Sequence, residues 1–245
     1  MTGVTISQDR HPAEAHPIRS LVDIVIVFAT SALGFVLEDL ANASGWITIG
    51  PEARGVTPVL SGALAAVAVV FVRGGTLADL GFRRPRRWAI VPFQVAGILA
   101  AFIAAQLLAP LLVSSFIVLP EPDLSRYDAI SGNLGAAIAM ALLLPLTASI
   151  PEEVIYRGFL IGRLTDAFGQ NAGGAVVSVL VQAILFGAVH FMWGVGGMLV
   201  ALIMGIVWGT AYLLCGRNLW VVILAHSAGH ILGVVQLYLG TSIII

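Results

Sequence analysis

The chain has 245 residues, of which 59% are apolar and 10% are charged, and its mean hydropathy is +1.00. Soluble domains carry about 25% charged residues, so this composition indicates an integral membrane protein. The low charge excludes a nucleic-acid-binding surface, and the single cysteine excludes a disulfide framework or a cysteine metal cluster. All 12 basic residues are arginine, so the chain offers no lysine for a Schiff base.

The apolar runs predict an all-α, polytopic membrane helix bundle of about seven transmembrane helices. An eighth helix would follow if Pro110 divides the longest run, which exceeds the length of one untilted span. We expect a polar cytoplasmic tail over 1–20, a single membrane domain over 21–245 and a motif-bearing core at about 134–239. The predicted spans are 21–37, 56–72, 89–119, 134–160, 172–192, 197–214 and 219–239.

The distribution of arginine predicts the orientation, because cytoplasmic connections of membrane proteins carry an excess of basic residues. With a cytoplasmic N-terminus, ten arginines fall inside and two outside. The inside residues are Arg10, Arg19, Arg73, Arg83, Arg84, Arg86, Arg87, Arg157, Arg163 and Arg217, and the outside residues are Arg54 and Arg126. We therefore expect a multi-pass protein of the cell membrane, and the absence of lysine indicates a GC-rich bacterial genome.

The first polar motif within the spans contains two adjacent glutamates, Glu152 and Glu153, followed by Arg157. Residues four apart share a helix face, so Glu153 and Arg157 can form an ion pair. Adjacent residues point about 100° apart, so Glu152 faces another direction and is available as a general base or acid. The alternative is a structural ion-pair cluster at the membrane surface.

Two further motifs contain histidine. Phe186 and His190 share a helix face, which lets the ring buttress the imidazole, and His226 and His230 lie four apart in an apolar span. A single histidine is more often a packing residue than a catalyst. Four-residue spacing is also that of two zinc ligands on one helix, so His190, His226 and His230 could hold a metal. The three motifs together match acid–base hydrolysis better than a structural cluster.

In this order on successive spans, the three motifs resemble the CAAX prenyl protease and bacteriocin-processing family, also called type II CAAX proteases or abortive-infection proteins. Its members are intramembrane glutamic endopeptidases. The resemblance covers about 145–235. It implies that Glu152 activates water with help from His190, that Glu153 and Arg157 form a structural pair, and that His226 lines an oxyanion hole.

The family usually has asparagine where this chain has His230. A histidine can donate one N–H to an oxyanion, as an asparagine amide would, so the role can be retained. The same change could also produce a metal-dependent protease or a member without catalysis.

The resemblance implies a peptide or membrane-protein substrate and no bound cofactor, with a divalent metal as an alternative. The other functions that remain open are a non-catalytic, immunity-type binding protein of the same fold and a proton-coupled transporter. Helix length also raises a difficulty. His190 is about 27 Å from the start of its span at a rise of roughly 1.5 Å per residue, whereas His226 is only about seven residues into its own, which predicts different depths.

Overall fold

The computed structural model describes residues 17–113 and 121–241. Within these residues the chain forms seven long helices joined by short connections, several of which contain one 3₁₀ turn. The helices are α1 (Pro17–Ala43), α2 (Val56–Val72), α3 (Val91–Val113), α4 (Leu134–Phe168), α5 (Ala172–Ala188), α6 (Gly194–Leu214) and α7 (Leu219–Leu239).

The seven helices coincide with the seven predicted spans, which confirms a polytopic membrane helix bundle. Five of them are long and apolar enough to cross a bilayer by length and composition, and α2 and α5 are apolar helices of 17 residues each. Helix α3 continues past Pro110, so this proline does not divide it. The predicted tail up to residue 16 and the end of the predicted 89–119 span, from residue 114, lie outside the described residues.

Helix α4 changes its winding twice around the glutamate motif. The stretches Pro145–Ser149 and Val154–Leu160 are π-helical, and a short α-helical stretch, Ile150–Glu153, lies between them. The helix is continuous through Pro145 and Pro151. A proline lacks the N–H that an α-helix requires, and wider winding absorbs this loss without ending the helix. Such π segments often occur at functional sites.

Helices α5 and α6 approach closely because glycine lies at their contact. A Cβ atom on Gly205 would come within 2.8 Å of the Cα of Ala183, and one on Gly187 within 2.8 Å of the carbonyl oxygen of Met198. Small residues at such contacts let backbones pack tightly where the lipid offers no hydrophobic driving force. This contact fixes the end of α5, where Phe186 and His190 lie.

The polar residues of the connections gather at two opposite ends of the bundle. At one end, Asp23 of α1 pairs with Arg73 at 2.6 Å and with Arg163 of α4 at 3.2 Å. At the other end, Arg126 donates a hydrogen bond to the carbonyl oxygen of Arg54. Arg157 was counted with the inside connections, but it is fully buried within α4. Its charge has a partner inside the bundle, so it belongs to the site rather than to the orientation signal.

Candidate active site

The glutamate motif lies in the most buried stretch of the bundle. Residues 151–161 of α4 are all buried, although three of them carry charged side chains. A helix that is buried on every side is normally apolar all round. Charges at such positions are costly unless they are paired, so this stretch is a candidate functional site.

Glu153 is held by two partners. Its Oε1 atom accepts hydrogen bonds from Arg157 Nη1 at 2.8 Å and from His226 Nδ1 at 2.8 Å, and all three side chains are at most 1% exposed. The Arg157 bond is the ion pair that the four-residue spacing predicts. The His226 bond joins α4 to α7 and was not predicted, since the sequence assigned the glutamate to Arg157 alone.

Glu152 points away from this pair. It is 8% exposed, and its nearest charged or ionisable partner among the described residues is His226, with Nε2 lying 3.8 Å from Oε2. That separation is too long for a hydrogen bond. Neither Oε2 of Glu152 nor Nε2 of His226 has a hydrogen-bond partner in the described part of the chain. Oε2 of Glu152 and Nε2 of His226 therefore lie opposite each other, and each can still form a hydrogen bond.

The ring of Phe186 lies close to three polar side chains of the site. Its ring centroid lies 4.6 Å from the guanidinium carbon of Arg157, 4.7 Å from the ring of His190 and 6.5 Å from the ring of His226. His190 donates from Nδ1 to the carbonyl oxygen of Phe186 at 2.6 Å. In the neutral ring Nε2 is then an acceptor, which can receive a hydrogen bond from a water molecule.

The rings of His190 and His226 both lie within 6.5 Å of the Phe186 ring, so the prediction of different depths is wrong. Helix α5 ends at Ala188, so His190 lies just after it. Helix α7 begins at Leu219, which packs against the connection between α2 and α3. The backbone N–H of Leu219 donates to the carbonyl oxygen of Gly81 at 2.8 Å, and Leu219 is fully buried. Counting residues from the membrane surface fails because α7 starts inside the bundle.

His226 and His230 stack on one face of α7, with ring centroids 4.3 Å apart. His230 is partly exposed, and its Nδ1 atom lies 2.9 Å from the hydroxyl oxygen of Ser149 on α4. The sequence reasoning missed Ser149. The available signal was its position three residues before Glu152, which places both on one helix face.

A chamber of about 1070 Å³ opens beside these residues. It is lined mostly by apolar side chains from every helix except α5 and from the connection after α5, and Glu152, His190, His226 and His230 all contribute to its wall. The structure therefore brings together the four residues that the sequence singled out as catalytic. Glu153, Arg157 and Phe186 lie behind that wall, where they contact the lining residues.

The sequence left open a metal held by His190, His226 and His230. No group of three or more His, Cys, Asp or Glu side chains in the described part of the chain is arranged to hold a metal ion. The Nδ1 atoms of the three histidines each already contact a different partner: a carbonyl, a carboxylate and a hydroxyl.

Comparison with known proteins is consistent with this site. Residues 134–232 match the family model described as type II CAAX prenyl endopeptidase Rce1-like. No curated protein and no solved structure matches the chain. The matched segment contains all three motifs, which confirms the resemblance read from them. Residues 134–232 are thus similar to the CAAX protease family, and the long apolar helices indicate a multi-pass membrane protein.

Proposed function

We propose that this protein is an intramembrane endopeptidase in which Glu152 is the general base. The observation that supports this best is the different environment of the two adjacent glutamates. Glu153 is fully buried and bound by Arg157 and His226, whereas Glu152 lines the chamber, keeps 11% of its side chain exposed and has its described ionisable neighbour, His226, 3.8 Å away. A base must have a free oxygen within reach of the water that it activates.

In the proposed reaction, a water bound between Glu152 and His190 attacks the carbonyl carbon of a peptide bond. Glu152 takes one proton from the water, and the Nε2 lone pair of His190 accepts a hydrogen bond from it. The new C–O bond gives a tetrahedral intermediate whose oxyanion accepts hydrogen bonds from His226 and His230. Collapse of the intermediate breaks the C–N bond, and the proton taken from the water, which has by then passed from Glu152 to His226, goes to the leaving amine.

His226 needs a second proton for this role. Because Nδ1 donates to Glu153, the Nε2 atom of the neutral ring has a lone pair and no hydrogen. The proton that Glu152 takes from water can pass across the 3.8 Å gap to Nε2. The resulting imidazolium remains hydrogen-bonded to Glu153, and its Nε2–H can donate to the oxyanion. One oxyanion donor contributes roughly 2.7–4 kcal/mol to the transition state.

The chamber is suited to an apolar polypeptide segment. Its volume of about 1070 Å³ exceeds the roughly 300–1,000 Å³ of a typical small-molecule pocket, and its wall is mainly aliphatic and aromatic. The expected substrate is a peptide or a segment of a membrane protein. The mainly apolar wall lowers the dielectric constant around the site, which strengthens the electrostatic interactions there.

The test compares wild-type protein with Glu152→Gln in liposomes that contain membrane proteins from the source cell. Mass spectrometry of peptide termini detects each new chain end. We expect new termini from the wild type and none from Glu152→Gln, since glutamine cannot accept the proton. Glu121→Gln, at an exposed position outside the chamber lining, controls for the loss of a carboxylate. No new termini from a folded wild-type protein would contradict the proposal and favour a non-catalytic binding protein of the same fold.

A further inference from the structure

Ser149 is a buried hydroxyl whose described hydrogen bond goes to the ring of His230. Its side chain is fully buried, and Oγ lies 2.9 Å from His230 Nδ1. Serine in a helix often donates to the carbonyl oxygen four residues earlier. That carbonyl, of Pro145, already accepts from the N–H of Ile150. A buried hydroxyl without an acceptor is costly, so the proton of Ser149 is directed to His230 Nδ1.

This partner makes His230 different from the other two chamber histidines. Nδ1 of His190 faces a carbonyl oxygen, and Nδ1 of His226 faces a carboxylate oxygen. Both oxygens only accept, so in each neutral ring the hydrogen is on Nδ1 and Nε2 is bare. A hydroxyl can donate, and the hydrogen bond at one ring nitrogen determines which nitrogen carries the proton. In neutral His230, therefore, the hydrogen is on Nε2.

We propose that Ser149 is a positioning residue that holds His230 in the tautomer with an N–H at Nε2. The neutral ring then offers the oxyanion one N–H donor, which supplies what an asparagine amide would supply at this position. This inference rests on the proposed function and adds the residue that allows a histidine to fill the role. The hydroxyl of Ser149 and the ring of His230 act as a unit, so the effect of removing one depends on the presence of the other.

A double-mutant cycle tests this coupling through cleavage kinetics. Ser149→Ala should lower kcat by about ten- to a hundred-fold with little change in KM, approaching the loss of one oxyanion donor. His230→Asn should remain active, because asparagine has its own N–H, and adding Ser149→Ala to it should change kcat less than about three-fold. Ser178→Ala is the matched control, since this buried serine donates to Gly174 in its own helix at 2.7 Å and lies outside the chamber lining.

Equal loss from Ser149→Ala in both backgrounds would overturn the positioning role and leave Ser149 as a packing residue. No loss in either background would overturn it as well.

Nitrogen-15 NMR of histidine-labelled protein gives a second readout that needs no turnover. The signal that disappears in His230→Asn should show a hydrogen on Nε2, and the signals of His190 and His226 should show it on Nδ1. A hydrogen on Nδ1 of His230 would overturn the inference even if the enzyme is active. By contrast, a wild-type protein that cleaves nothing would contradict the proposed function, so the two failures are distinguishable.

Discussion

Replacing Arg157 by alanine should strongly destabilise the fold. The guanidinium and the Glu153 carboxylate are both 0% exposed and 2.8 Å apart, so the substitution leaves a buried carboxylate without its cation. Breaking a buried pair by removing one partner costs about 3–5 kcal/mol. The contact of the guanidinium with the Phe186 ring at 4.6 Å is lost as well, which adds up to about 2 kcal/mol for a desolvated cation–π pair. Stabilities of native domains are about 5–15 kcal/mol, so this loss is a large share.

Equilibrium denaturation in mixed detergent micelles, followed by circular dichroism, measures the change in the free energy of unfolding. Arg163→Ala is the matched control in the same helix. Arg163 is 21% exposed, and its partner Asp23 keeps Arg73, so we expect a loss below about 1 kcal/mol. The double variant Glu153→Gln/Arg157→Met removes both charges and keeps an acceptor for the ring of His226, so it should recover much of the loss.

Two results would refute this reasoning. One is an Arg157→Ala protein as stable as the wild type, which would mean that water reaches the pair. The other is a double variant that is less stable than Arg157→Ala alone, which would mean that packing rather than charge dominates.

Two further predictions concern other parts of the molecule. Gly205→Ala should destabilise the contact between α5 and α6 by about 1–3 kcal/mol, because the new Cβ would lie 2.8 Å from the Cα of Ala183; a thermal melt that does not shift would argue against close packing there. In the connection before α4, hydrogen bonds from the hydroxyl and the N–H of Ser125 lower the pKa of Asp123 below its usual value. The stabilising effect of these bonds is present above the pKa of the unfolded chain and is lost as the pH falls through the folded value. Ser125→Ala should therefore raise the pKa of Asp123 in a carbon-13 NMR titration, and an unchanged midpoint would contradict this.

The helices are predicted well from the sequence because only a few kinds of structure can cross a bilayer. A span must be long, apolar and internally hydrogen-bonded, so the apolar runs and the helices coincide. The pairing of Glu153 with Arg157 is equally local, since four-residue spacing places the two side chains on one face of α4.

Contacts between distant helices could not be read from the sequence. The bond from His226 to Glu153 depends on how α7 lies against α4, and the depth of His226 relative to His190 depends on where α7 begins inside the bundle. The π-helical winding around Pro151 was also missed, because prolines more often break or kink a helix than widen it. The position of Ser149 three residues before Glu152 was weak evidence for a functional role, because serine is common in helices of every kind.

In the proposed mechanism Glu152, rather than its neighbour Glu153, activates water in the chamber. The most direct measurement is the rate at which new peptide termini appear with the wild-type protein, Glu152→Gln and the control Glu121→Gln, each folded and reconstituted in liposomes. A general base contributes about 10²- to 10⁴-fold to a rate, so Glu152→Gln should be slower than the wild type by at least about a hundred-fold, and Glu121→Gln should match the wild type. Cleavage by Glu152→Gln at the wild-type rate would contradict the assignment of Glu152 as the general base.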